Sequence, residues 1–145
     1  MLALIQRVTD AQVDINSNTI ARILTGILAF ICVEDKDNIT HFEKMAHKLL
    51  KQRIFEDENG KMNKSLIDIK GGLLLVPQFT LVANTDRGLR PSFSNACPPQ
   101  LAKQKFEFFC AFLQQQYDQI QQGQFGANMQ VTLINDGPVT LWLKV

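Results

Sequence analysis

The chain has 145 residues, 46% of them hydrophobic, and a formal net charge of +1. That length suits one domain able to bury roughly 70% of its unfolded surface, and the apolar content excludes a disordered chain. The near-zero charge excludes the strongly basic class of duplex-binding proteins, so any nucleic acid must be gripped locally.

Residues 2–8 are β-rich and predict a first strand. Residues 12–15 and 19–24 form a hairpin about Asn16-Ser17-Asn18, a turn-forming triplet. The continuous apolar run at 27–33 predicts a strand covered on both faces. It is too short to span a bilayer. Asp37 or Thr40 is placed to cap a helix whose Phe42, Met45, Ala46, Leu49 and Leu50 fall at helical spacing. Lys44, Lys48 and Lys51 form a basic stripe on another face, read either as solvated surface or as a surface that meets phosphates. Glu58-Asn59-Gly60 marks a turn, and Glu56, Asp57 and Glu58 are expected to face solvent.

Gly71-Gly72 leads into a second apolar strand predicted over 73–82. Residues 83–99 read as a loop whose length points to function. Pro99 opens a second helix, with Phe106, Phe109, Cys110, Leu113, Tyr117 and Ile120 on one face, Phe108 and Phe112 on another, and Gly123 at its end. The last strands are predicted at 129–134 and 139–145, with Gly137-Pro138 between them. By residue chemistry that pair is expected to be a trans hairpin turn; the alternative is a rigid backbone probe aiming its carbonyls at something. The order of elements points to one layered α/β domain over residues 1–145.

Cys32, Cys97 and Cys110 are odd in number and show no metal or redox spacing. Cys32 and Cys110 are expected in the core and Cys97 at the surface, in a reducing compartment. No secretory leader is apparent, so the expected location is the cytoplasm, with no membrane partner. His41 and His47, six apart on one helix, point about 240° apart and cannot share a metal. Nucleophile elbows, phosphate-binding loops and dinucleotide fingerprints are missing from the sequence, so backbone and hydroxyl chemistry remains. In an extended strand Gln78 and Thr80 share one face and Phe79 takes the other. Pro77 cannot serve a central ladder, so the strand must bulge, lie at an edge or end there, which frees nearby N–H groups for an oxyanion.

At these residues the chain resembles the D-aminoacyl-tRNA deacylases, from end to end. The resemblance runs through Leu4-Ile5-Gln6-Arg7-Val8, Arg53-Ile54-Phe55, Gly60-Lys61-Met62-Asn63, Gln78-Phe79-Thr80-Leu81, Arg87 to Phe93, and Asn135-Asp136-Gly137-Pro138-Val139-Thr140. It departs from the family's Ser-Gln-Phe-Thr signature, where Pro77 replaces Ser. The resemblance implies a three-layer β/β/α domain with barrel-like sheets and two main helices. It implies a homodimer that hydrolyses the ester of D-aminoacyl-tRNA, and of mischarged glycyl-tRNA, without cofactor or metal. Catalysis would fall to Thr80, Phe79 and Gln78. A cis Gly137-Pro138 of one subunit would enter its partner's site and exclude L-aminoacyl groups. Arg7 would hold that pair in orientation, and Phe125, Met129 and Pro77 would contact the tRNA 3′ end. A binding module for the tRNA 3′ end, without catalysis, is the alternative.

Overall fold

The computed structural model describes residues 1–86 and 88–145. One six-stranded sheet dominates. It is built from β1 (Leu2–Ile15), β2 (Asn18–Ile23), β3 (Gly26–Cys32), β6 (Gly72–Pro77), β7 (Ile120–Gln122) and β8 (Gln130–Lys144). A small ladder of β4 (Phe55–Glu56) and β5 (Met62–Lys64) stands apart from it. Helices α1 (Ile39–Lys51) and α3 (Pro99–Gln114) are the two long ones, and α2 (Leu66–Ile69) is a single turn. The result is a mixed α/β domain with a nearly closed, barrel-like sheet, as expected.

The apolar runs of β3 and β6 behave as their sequences demand, because both faces are covered. Ile27, Ala29, Ile31, Leu73 and Leu75 join α1 and α3 in one core. Leu28, Leu74 and Val76 turn the other way and meet Val8, Ala11 and Val13 in a second core inside the curl of the sheet. β3 and β6 pair in parallel, which puts their C-terminal ends side by side at one end of the domain. β1 is one strand rather than the two predicted. Val8 and Asp10 pair with the adjacent Asn135 and Ile134, so Thr9 is an extra residue in the ladder. That bulge switches the odd positions from the helix-side core, where Ala3 and Ile5 lie, to the second core, where Ala11 and Val13 lie, so β1 serves both.

Several sequence expectations are corrected. Asn38, not Asp37 or Thr40, caps α1. Its side chain accepts from Thr40 N–H, and His41 Nδ1 accepts from the Asn38 N–H. Asp37 is buried and takes the Met1 ammonium at 2.8 Å, while Glu34 takes it at 2.7 Å. Lys105 Nζ donates to the carbonyls of Glu34, Asp35 and Asp37, so charge holds the segment between β3 and α1 from both sides. α3 stops at Gln114, well before Gly123. Tyr117 lies beyond it and donates to the Gly71 carbonyl at 2.6 Å, and Ile120 starts β7. Cys97 is buried like Cys32 and Cys110. Among the described residues no helix is long and apolar enough to cross a membrane.

Candidate active site

The strand predicted over 73–82 ends at Pro77, and the reason is local. Proline has no N–H to continue the ladder. Gln78 N–H makes the last bond, to the Ile31 carbonyl at 2.8 Å, and Phe79–Val82 then coils into a 3-10 turn. Gln78 and Thr80 therefore do not alternate along a strand. The turn still brings them together, and Gln78 Nε2 donates to Thr80 Oγ1. The N–H groups of Phe79 and Thr80 stand at the open end of this turn, where a helix leaves its first donors without internal partners.

A cleft of about 660 Å³ opens here. Pro77, Gln78 and Phe79 form one wall, Phe125 and Met129 another, and Phe93 from the long loop a third. The Phe79 and Phe93 rings meet edge to face with centroids 5.1 Å apart. Phe79 remains 53% exposed, so its ring lines an open mouth rather than a core. Thr80 sits exposed one residue beyond the lining. Among the described residues no carboxylate, imidazole, ammonium or guanidinium lines the cleft. Nor does any group of three His, Cys, Asp or Glu side chains stand ready to hold a metal. Below the Phe79 wall, Cys32 and Cys97 line a smaller cavity. Cys32 Sγ lies 3.7 Å from the carbonyl oxygens of Phe79 and Val33. Burial pushes the Cys32 thiol up to about 11.

The Gly137-Pro138 bond is cis, and the pair is not a hairpin turn. Residues on both sides of it pair with the same strand, β1: Gln6 faces Thr140 and Val8 faces Asn135. Two steps on β1 thus match five on β8, and residues 136–139 are pushed out as a wide bulge opposite Arg7. Asn135 ties the base of the bulge. Its Oδ1 accepts from Val139 N–H at 3.1 Å and its Nδ2 donates to Thr140 Oγ1 at 2.9 Å. Arg7, 6% exposed, reaches across. Its Nε–H donates to the Asp136 carbonyl at 3.1 Å, and Nη1 donates to the Ile54 carbonyl at 2.8 Å. Gly137 and Pro138 are exposed and do not line the chain's own cleft. The structure thus gathers Pro77, Gln78, Phe79, Phe125 and Met129 at one place, with Thr80 at its rim, and Arg7, Gly137 and Pro138 at another.

The sequence profile of the family described as D-Tyr-tRNA(Tyr) deacylase matches residues 4–144. The chain belongs to the D-Tyr-tRNA(Tyr) deacylase family. It is 53% identical to a D-aminoacyl-tRNA deacylase of Francisella tularensis subsp. tularensis, with all of both chains covered. It is 56% identical to one from Teredinibacter turnerae, covering 99% of each. A solved structure titled "c-Myc DNA Unwinding Element Binding Protein" superposes with a TM-score of 0.94 at 38% identity, over 100% of this chain and 99% of that one. A probable eukaryotic D-amino acid tRNA deacylase superposes at 0.85, covering 99% and 98%; at 16% identity it speaks for the deacylase fold alone.

Sequence reading of this deacylase-family chain missed two site features. Phe93 lies in the loop whose length signalled function, but nothing marked this aromatic over its neighbours. Asn135 carried a usable signal, since an Asn side chain readily bonds backbone a few residues on. Arg87, part of one motif block, lies outside the described residues.

Proposed function

We propose that this chain hydrolyses the ester joining a D-amino acid, or glycine, to the 3′-terminal ribose of tRNA, and that it does so as a homodimer. One observation carries the reading. The cleft between Pro77–Phe79 and Phe125–Met129 is uncharged along its described lining and opens beside main-chain donors, in a chain of this family. Such a site suits acyl transfer in which water attacks the ester carbonyl and backbone N–H groups hold the developing oxyanion. That task is assigned to the Phe79 and Thr80 N–H groups at the start of the 3-10 turn, and one such donor contributes roughly 2.7–4 kcal/mol. Thr80 Oγ1, oriented by Gln78, positions the water or the substrate. With no acid or base in the described lining, the neighbouring 2′-hydroxyl of the ribose is the group at hand to relay a proton.

Selectivity is assigned to Gly137 and Pro138. They stand exposed, away from their own cleft, on a bulge that Arg7 and Asn135 hold rigid. Inserted into the cleft of a second copy, their carbonyls would clash with an L-configured side chain and leave space for a D-configured one or for glycine. The basic groove of about 550 Å³ bordered by Lys44, His47, Lys48 and Lys144, with Glu43 and Val145, gives the tRNA phosphates a place to lie. It flanks the end of β1 where Leu2 has Lys144 on one side and Cys32, which lines the small cavity next to Phe79, on the other.

The test is hydrolysis of D-tyrosyl-tRNA and L-tyrosyl-tRNA by the purified protein, with its mass in solution measured by light scattering. Release from the D-form alone, by a dimer, is the expected result. Hydrolysis of both refutes the exclusion role of Gly137-Pro138. Hydrolysis of neither identifies a binding module for the tRNA 3′ end.

A further inference from the structure

Gly123 is a glycine that its backbone does not require. Its φ lies outside the positive range occupied by Gly60, Gly88, Gly126 and Gly137, so an L-residue meets no conformational penalty there. Its N–H donates to the Leu75 carbonyl at 2.8 Å, which any residue except proline would do. What it lacks is room. A Cβ at position 123 would stand 2.8 Å from Met129 Sδ and 3.6 Å from Pro77 Cδ. Both neighbours line the cleft, so the missing side chain points at the cleft floor. Met129 Sδ lies against bare backbone where any other residue would hold it off.

We propose that Gly123 is a positioning residue for substrate: by leaving out a side chain it seats Met129 low and sets the depth of the cleft. This inference rests on the reading of the cleft as the seat of the aminoacyl-adenosine end. A methyl group at 123 forces Met129 Sδ to retreat by over half an ångström to reach ordinary contact at about 3.5 Å. The methyl's other neighbours, Pro77 Cδ at 3.6 Å and the Leu75 carbonyl oxygen at 3.8 Å, are in ordinary contact and need not move, whereas the thioether chain is flexible and borders the open cleft. The displaced side chain therefore rises into the cleft rather than breaking the fold.

The experiment compares wild type, Gly123→Ala, Met129→Ala and the double variant, using D-tyrosyl-tRNA hydrolysis and the affinity for a non-hydrolysable amide analogue of D-tyrosyl-adenosine. Gly123→Ala is expected to raise KM and the analogue Kd about tenfold, the scale of one methyl pressed into a packed site, with kcat within about threefold. In the Met129→Ala background the same substitution is expected to change neither constant, because its target is gone. An unchanged Kd in Gly123→Ala overturns the inference, as does a tenfold loss that persists without Met129. If wild type binds the analogue but does not hydrolyse the tRNA, the functional reading fails while the Kd pattern still decides on Gly123. If Gly123→Ala melts far below wild type, recovery of both Tm and Kd in the double variant supports the seating of Met129. Failure to recover refutes it.

Discussion

Arg7 and Asp136 lie 129 positions apart in sequence, and one guanidinium nitrogen serves two oxygens of the acid. Arg7 Nε is 3.1 Å from the Asp136 carbonyl oxygen and 3.1 Å from its Oδ2. The other arm of the fork holds the Ile54 carbonyl. A planar, permanently charged fork suits this better than an ammonium, because it fixes direction as well as distance. The bulge that carries Gly137 and Pro138 is thereby tied to β1 and to the segment after α1.

Arg7→Ala removes the fork and leaves the Ile54 carbonyl without its donor. The loss in stability is expected to be about 1–3 kcal/mol, the scale of leaving a buried acceptor unpaired, since Asp136 is half exposed to water. The released bulge should also admit L-aminoacyl groups. Thermal denaturation, together with the ratio of D- to L-tyrosyl-tRNA hydrolysis, measures the two effects separately. An unchanged ratio in a folded variant removes Arg7 from selectivity.

Gly137 has φ +127°, where L-residues are strained, and a Cβ there would meet Arg7 Nη2 at 2.9 Å. Gly137→Ala is expected to cost about 1–2 kcal/mol from backbone conformation alone. It should also lower the D-to-L discrimination by crowding the opposite site. Selectivity identical to wild type counts against the cross-subunit arrangement.

Thr80 is exposed, and its hydroxyl has one described partner, Gln78. Thr80→Ala should leave the melting temperature nearly unchanged and lower kcat about 10–100-fold, the range for a misplaced reactant. A wild-type kcat in this variant takes Thr80 out of the mechanism.

Lys44 and Lys48 border the groove beside β8, one helical turn apart. The double change Lys44→Glu with Lys48→Glu is expected to raise KM for full-length aminoacyl-tRNA at least tenfold and to flatten its salt dependence. Hydrolysis of a short aminoacyl-adenosine ester should not change. Equal losses on both substrates place the effect in the fold rather than in the phosphate contacts.

The three thiols are buried, and burial raises Cys32 from 9.0 to about 11 and Cys110 to about 12. A disulfide reagent at pH 8 should leave Cys32 and Cys110 untouched in the native protein, reach at most Cys97, which lines the cleft, and titrate all three after denaturation. Between 9 and about 11 the native Cys32 keeps a proton that the unfolded chain has lost. Stability contributed by the protonated thiol is therefore intact below pH 9 and falls as pH rises through about 11. A melting temperature that climbs over that interval contradicts the burial.

Some of this was decided by local chemistry that the sequence carries in full. The double-sided apolar runs of β3 and β6 and the buried stripe of α1 follow from side-chain period, and the missing N–H of Pro77 narrowed its strand to a bulge, an edge or an end, of which the fold chose the end. The motif blocks did the same for the family, because their order runs the length of the chain. Tertiary structure decided the rest, since the deciding partners lie far away in sequence. Residues 114–123 continue an apolar helical spacing, yet Tyr117 bonds the Gly71 carbonyl and Ile120 pairs with β6. The two flanks of Gly137-Pro138 look like hairpin arms, yet both pair with β1, more than a hundred residues earlier. Sheet hydrogen bonds are satisfied by whichever strand the fold brings alongside, and no local pattern names that strand. For the same reason the space beneath Met129 is invisible in the sequence: a glycine records that something comes close, and only the folded chain shows what.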